Sequence, residues 1–463
     1  MRNRVWIALA LASALGLAGC GGGGGNPSAP TLSTVASVNA ASTAPTSPPS
    51  GGFKQMVVFG DSLSDAGTYI PAAVAAYSTD PNTALQTFGQ TLMTNPITAL
   101  ASYGKLGGQF TVNPGPGWVA DLANNLSLPV PLPNQIGYGN AQVSAGVFTP
   151  TAIFPAMNCV STYSVSNPSL CTNFAQGGSR VSQQPGIGYY TINPATGQPY
   201  VNSSGIPYTS ALTVPVSTQV QNYLAQFPVV PPATKPFNAQ QLVAVLAGNN
   251  DIFMALSSVS TNMAKGMTQA AAVASAQAAV AQAADDLTTQ VKTILSDGGE
   301  YVLVYTLPDT SVTPFGRALP FTYGLAYNQT AAAAGKYSSS GPPPGYVCNN
   351  TDTHAPCYLL SNLVQVFNQR LLNDLQGQAV KIVDGYGLFS QLITSPVFSN
   401  VTDSACDLTK VPNSLLCNAN TLNSGVTVDK WLFADSVHPT PAGYMAIADA
   451  TLKTMASFGW ISQ

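Results

Sequence analysis

Charge is the scarcest property of this chain. Of its 463 residues only 7% are Asp, Glu, Lys or Arg, the net charge is -3, and the Lys and Arg residues are scattered rather than clustered. Nucleic-acid binding needs a concentrated basic face, so DNA and RNA are not expected partners. Histidine is nearly absent, with only His354 and His438, and no Cys-x-x-Cys spacing occurs. A zinc centre would lack its usual ligands, and neither a metal nor an organic cofactor is expected. There is no clean internal repeat and no second core to suggest a further folded domain. The apolar run from Val5 to Leu17 falls short of the roughly 20 residues that a bilayer-spanning helix needs.

That run does have another reading. Arg2 and Arg4 precede it and Leu17-Ala18-Gly19-Cys20 closes it, the charge, apolar and small-residue order of an export signal. Its end resembles the bacterial lipoprotein box, which implies a signal peptide over residues 1–19 and a lipid anchor on Cys20. The alternative is an ordinary secretory signal with Cys20 incidental. Gly21 after Cys20 fits outer-membrane sorting by the same resemblance, and the expected location is exported, at the outer membrane, in the periplasm or at the cell surface. Residues 20–52 are rich in Gly, Ser, Thr, Ala and Pro without apolar periodicity. They read as a flexible tether.

Six cysteines remain after Cys20, in three close pairs: Cys159 with Cys171, Cys348 with Cys357, and Cys406 with Cys417. In an oxidising compartment local disulfides are the simplest pairing, although six cysteines allow 15 connectivities. Each short loop would restrain the chain by roughly 2–3 kcal/mol.

From about residue 53 to 463 the chain reads as one domain. Short Val- and Leu-rich runs at Gln55 to Phe59, Leu242 to Ala247, Tyr301 to Leu307 and Ala379 to Val383 stop at Gly, Pro or polar residues, as buried strands do. Helix patterns cover Trp118 to Leu126, Thr268 to Leu295, Tyr358 to Leu375 and Pro441 to Phe458. Continuous apolar strands alternating with helices imply a mostly parallel sheet covered on both faces, a three-layer α/β/α sandwich. Ligands then bind at the strands' carboxyl ends. The stretches from about Ile70 to Gly117 and Pro129 to Pro236 lack a strong period and read as insertions over that edge.

Four segments sit where this architecture places a site. Gly60-Asp61-Ser62-Leu63-Ser64-Asp65 follows the first strand, where a serine can expose its hydroxyl beside free backbone N–H groups. Asn173-Phe174-Ala175-Gln176-Gly177-Gly178-Ser179 offers paired glycines for close backbone approach. Gly248-Asn249-Asn250-Asp251 puts an amide at the same rim, or is simply a turn. In Asp435-Ser436-Val437-His438-Pro439 a carboxylate three residues before an imidazole can fix its tautomer and leave Nε2 as a base. His354, between Cys348 and Cys357, reads as structural.

In content and order these segments resemble the blocks of the SGNH, or GDSL-type, hydrolase family. The resemblance implies a flavodoxin-like fold, with Ser62 as nucleophile, His438 as base and Asp435 as its orienter. It implies oxyanion donors from the Ser62 N–H, the Gly178 N–H and the Asn250 amide, with Gly177 an alternative to Gly178. Pro116-Gly117-Trp118-Val119-Ala120-Asp121-Leu122-Ala123 is similar to a further family segment, whereas Thr68 stands where many relatives carry Asn. The expected activity is hydrolysis of a small-molecule or lipid ester through an acyl-enzyme. Transfer to an alcohol acceptor, and a non-catalytic surface binder, remain the other readings. Oligomeric state is not legible.

Overall fold

The strand pattern and the cap chemistry of the sequence become a four-stranded parallel sheet in the computed structural model, which describes residues 32–69, 107–134, 171–188, 212–226, 235–319, 347–349, 351, 355–411 and 413–462. The strands are β1 (Gln55–Gly60), β2 (Gln241–Leu246), β3 (Tyr301–Tyr305) and β4 (Lys381–Val383), in the order β1-β2-β3-β4. Register is exact along the first pair, from Gln55 opposite Gln241 to Gly60 opposite Leu246. Both faces of these strands are buried, which is why they read as unbroken apolar runs rather than alternating ones.

Thr172 to Phe174 run along the outer side of β1. Val58 N–H donates to Thr172 O at 2.9 Å and Phe174 N–H to Val58 O at 2.8 Å. The segment thus lies beside β1 much as a fifth strand would, bringing the paired glycines to the sheet's carboxyl edge.

Helices pack in two groups, as a sandwich requires. One group holds α4 (Asn249–Ala264), α5 (Gln269–Ser296) and α6 (Pro356–Asp374), which pack on one another. The other holds α2 (Trp118–Asn125) against α8 (Pro441–Ser457), and α8 in turn touches α7 (Gly385–Leu392). Trp118 meets the Tyr305 ring at 5.0 Å, and Tyr305 OH bonds Thr451 at 2.9 Å, so β3 presents this side chain to the second group. α5 shows how composition becomes packing. Ala272, Ala276, Val280, Ala283, Leu287, Val291 and Ile294 are buried, and this apolar stripe follows the helical repeat. Thr268 caps its start by accepting the Ala271 N–H.

The expected tether is corrected from Leu32 onward. α1 (Leu32–Ala41) buries Val35 and Val38 in the main core. The Asn39 amide acts as a strand would on β4: its Nδ2 donates to Ile382 O at 2.9 Å and its Oδ1 accepts Ile382 N–H at 2.6 Å. The segment then passes beneath the sheet, where Trp460 Nε1 donates to Pro45 O at 2.7 Å and Tyr301 OH to Ser47 O at 3.0 Å. The weak amphipathic signal of this stretch hid its role, because long-range hydrogen bonds fix it more than a broad apolar face does. Also missing from the sequence reading were α3 (Val216–Gln226), α4 itself, α7, and a small parallel pair of β5 (Asn400–Ser404) with β6 (Trp431–Phe433).

The disulfides Cys348–Cys357 and Cys406–Cys417 form as expected. Cys171 is disulfide-bonded as well, while Cys159 lies outside the described residues. Cys20 and the apolar run also lie outside them. Among the described residues, no helix is long and apolar enough to cross a membrane.

Candidate active site

Strand ends deliver the site. β1 stops at Gly60, where an added Cβ would stand 2.3 Å from Leu246 O, and the chain turns through Asp61 into Ser62. Asp61 is sealed beneath the turn, its Oδ1 accepting Leu63 N–H at 3.0 Å and its Oδ2 accepting the Asn249 amide at 3.1 Å. Burial is the largest influence on its carboxyl and pushes it up to about 6, against the lowering effects of the Leu63 and Asn249 donors and of nearby His438.

The opposite wall comes from the C-terminal segment. Thr440 caps α8 and Pro441 occupies its first turn, which fixes the exit from Asp435-Ser436-Val437-His438. His438 Nε2 lies 2.9 Å from Ser62 Oγ, across 376 residues of sequence. Its Nδ1 lies 2.9 and 2.8 Å from the two carboxylate oxygens of Asp435. Asp435 is fully buried, whereas His438 is 9% exposed, so the imidazole alone of this pair reaches the surface. Burial acts to raise the Asp435 carboxyl. The charge and hydrogen bond of His438, with donors from Ser414 and Val437, outweigh it and hold the group well below the usual carboxylate range.

The paired glycines resolve into different tasks. Gly177 N–H donates to Asp65 Oδ2 at 2.8 Å and is therefore occupied. Gly178 adopts φ +77°, a conformation glycine tolerates best, and a Cβ there would stand 2.0 Å from Ile187 O. Among the described residues the Gly178 and Ser62 N–H groups have no acceptor. Asn250 is buried at the start of α4 and donates through Nδ2 to Ser179 O at 2.7 Å. That bond uses one amide hydrogen and leaves the other. The structure therefore brings Ser62, His438 and Asp435 into one hydrogen-bonded chain and anchors Asn250 to the residue after Gly178. His354 lies outside the described residues.

Several supporting residues escaped sequence reasoning. Asp65 accepts from Gly67 N–H, Thr68 N–H and Thr68 Oγ, and so ties the serine turn to Gly177; Thr68 has its own bonding task here. Phe110 lies 4.7 Å from the His438 ring and 5.7 Å from Tyr69, whose hydroxyl donates to Gly177 O. Asp251 holds Arg180 at 2.8 Å and Val181 N–H at 2.9 Å, fixing the chain after the glycines. Asp65 and Asp251 stood within the quoted segments, so their proximity was legible. Phe110 and Ser414 carried no signal. Among the described residues, no group of three or more His, Cys, Asp or Glu side chains is placed to hold a metal ion.

Comparison with curated proteins finds no match. The sequence model of the family described as GDSL-like Lipase/Acylhydrolase matches residues 56–451, a span that takes in all four motif segments and most of the chain. The chain belongs to the GDSL-like Lipase/Acylhydrolase family.

Proposed function

We propose that this protein is a serine ester hydrolase in which Ser62 is the nucleophile, His438 the general base and Asp435 its orienter. The observation that carries the reading is the continuous bonding from Ser62 Oγ through the imidazole to the Asp435 carboxylate. His438 Nε2 takes the Ser62 proton as Oγ attacks the ester carbonyl. The Ser62 N–H, Gly178 N–H and Asn250 amide receive the oxyanion. His438 then returns the proton to the leaving alcohol, and the acyl group remains on Ser62. Water, deprotonated by the same imidazole, releases the acid and restores Ser62. Family membership supports hydrolysis of small-molecule esters. The chain is further proposed to be exported and lipid-anchored at Cys20, on the sequence features Arg2, Arg4 and Leu17-Ala18-Gly19-Cys20.

A fluorophosphonate probe tests the chemistry. Ser62 is the expected site of labelling, and Ser62→Ala should abolish both labelling and turnover of p-nitrophenyl butyrate. Undiminished turnover in that variant would reject the mechanism. Mass spectrometry of the mature N-terminus tests the anchor, and an unmodified terminus beyond Cys20 would reject it.

A further inference from the structure

Asp435 is gripped from outside its own turn by a residue in no quoted motif. Its Oδ1 accepts the Val437 and His438 N–H groups, both from the turn that Asp435 opens. Its Oδ2 accepts Ser414 N–H at 2.8 Å and Ser414 Oγ at 2.7 Å. A carboxylate rotates easily about its last torsion. Donors on both oxygens fix the plane that the imidazole meets.

Ser414 is itself delivered by a covalent brace. It opens the single 3₁₀ turn Ser414–Leu416, capped by Asn413, inside the Cys406–Cys417 loop. The Asn113 side-chain nitrogen lies 3.0 Å from the carbonyls of Ser414 and Cys417, and Gly108 N–H donates to Leu415 O. On the other arm, Cys406 N–H donates to Ala434 O at 2.8 Å, immediately before Asp435. A ring therefore closes around the carboxylate: Asp435 and Ala434, the hydrogen bond to Cys406, the disulfide to Cys417, and Ser414 back to Asp435. Ser414, Cys406 and Cys417 are all fully buried.

The geometry points to Ser414 as a positioning residue that holds the Asp435 carboxylate in the orientation His438 needs, with the Cys406–Cys417 disulfide as the brace that presents it. The inference rests on the proposed roles of Ser62, His438 and Asp435. Ser414 touches no reacting atom, so its effect must pass through Asp435.

A double-mutant cycle tests this dependence. Turnover of p-nitrophenyl butyrate is measured for the wild type, Ser414→Ala, Asp435→Ala and the double variant, per site titrated with fluorophosphonate, so that unfolded protein does not count as lost rate. Ser414→Ala keeps the backbone donor but removes the hydroxyl. Its kcat should fall about tenfold, as expected for one lost hydrogen bond to a charged group, with KM nearly unchanged. In the Asp435→Ala background the same substitution should change kcat by less than about twofold, because the group it positions is gone. An unchanged kcat in Ser414→Ala overturns the inference, and so does a tenfold loss carried in full into the Asp435→Ala background. Retained turnover in Ser62→Ala would instead reject the functional reading, so the two failures are distinguishable.

Discussion

Replacing Asp61 by Asn should make the protein's stability less dependent on pH. Asp61 is fully buried, and burial raises its carboxyl from 3.8 to about 6. In the native protein the group keeps its proton up to about pH 6, whereas the unfolded chain releases it near 3.8. Its contribution to stability is therefore fully present below pH 3.8 and lost as pH rises through about 6. The difference of 6 - 3.8 corresponds to about 3 kcal/mol at 1.36 kcal/mol per pH unit. Asn is neutral throughout and nearly the same shape. The Asn249 Oδ1, which has no partner among the described residues, can turn to accept from the new amide. Urea unfolding of both proteins at pH 3.5 and 7.5 provides the assay. The stability of Asp61→Asn relative to the wild type should rise by about 3 kcal/mol between the two pH values, with the slopes unchanged. Asp435 has the opposite sign. Its depressed carboxyl contributes stability above pH 3.8 that is lost as pH falls further, but this is common to both proteins and cancels. A difference independent of pH would refute the reasoning, since it would mean that Asp61 ionises under its turn without penalty.

Asn250→Ala should lower kcat by about 10²- to 10³-fold while KM moves little, in steady-state kinetics on a folded variant; early melting with full specific activity would make the residue purely structural. Gly177→Ala would place a Cβ 2.2 Å from Phe110 Cζ, and Phe110 packs on His438, so both melting temperature and kcat should fall, by about 1–3 kcal/mol in stability. Removing the Cys406–Cys417 disulfide by Cys406→Ser with Cys417→Ser should cost about 2–3 kcal/mol in denaturant titration. Asn39→Ala deletes both amide bonds to Ile382 and should destabilise by about 1–3 kcal/mol, whereas a true tether residue would show no effect.

Much of the framework was legible because two strong signals coincide in it. β1, β2 and β3 are buried on both faces, so their apolar runs survive without any alternation to interpret, and turn residues mark their ends. Two of the four motif segments begin at the ends of β1 and β2, and the resemblance of all four, in content and order, to the blocks of the GDSL-type family is why Ser62, Gly178, Asn250, Asp435 and His438 could be named before any geometry. What escaped depends on long-range partners. α1 is held by an amide bonding to β4 more than 340 residues away, and Ser414 matters only because a disulfide loop turns it toward Asp435. α4 was hidden for a local reason. It begins on Asn249-Asn250-Asp251, residues that favour turns, and here those side chains are taken up by Asp61, Ser179 and Arg180.

The separation of 376 positions between Ser62 and His438 also sets a schedule. A chain made from its amino end carries the proposed nucleophile through most of its synthesis without the base. On the proposed mechanism the serine can be activated only once the turn after β6 has brought the His438 imidazole to it. On that mechanism a product truncated before His438 is expected to be silent, whatever else of the sheet it has built.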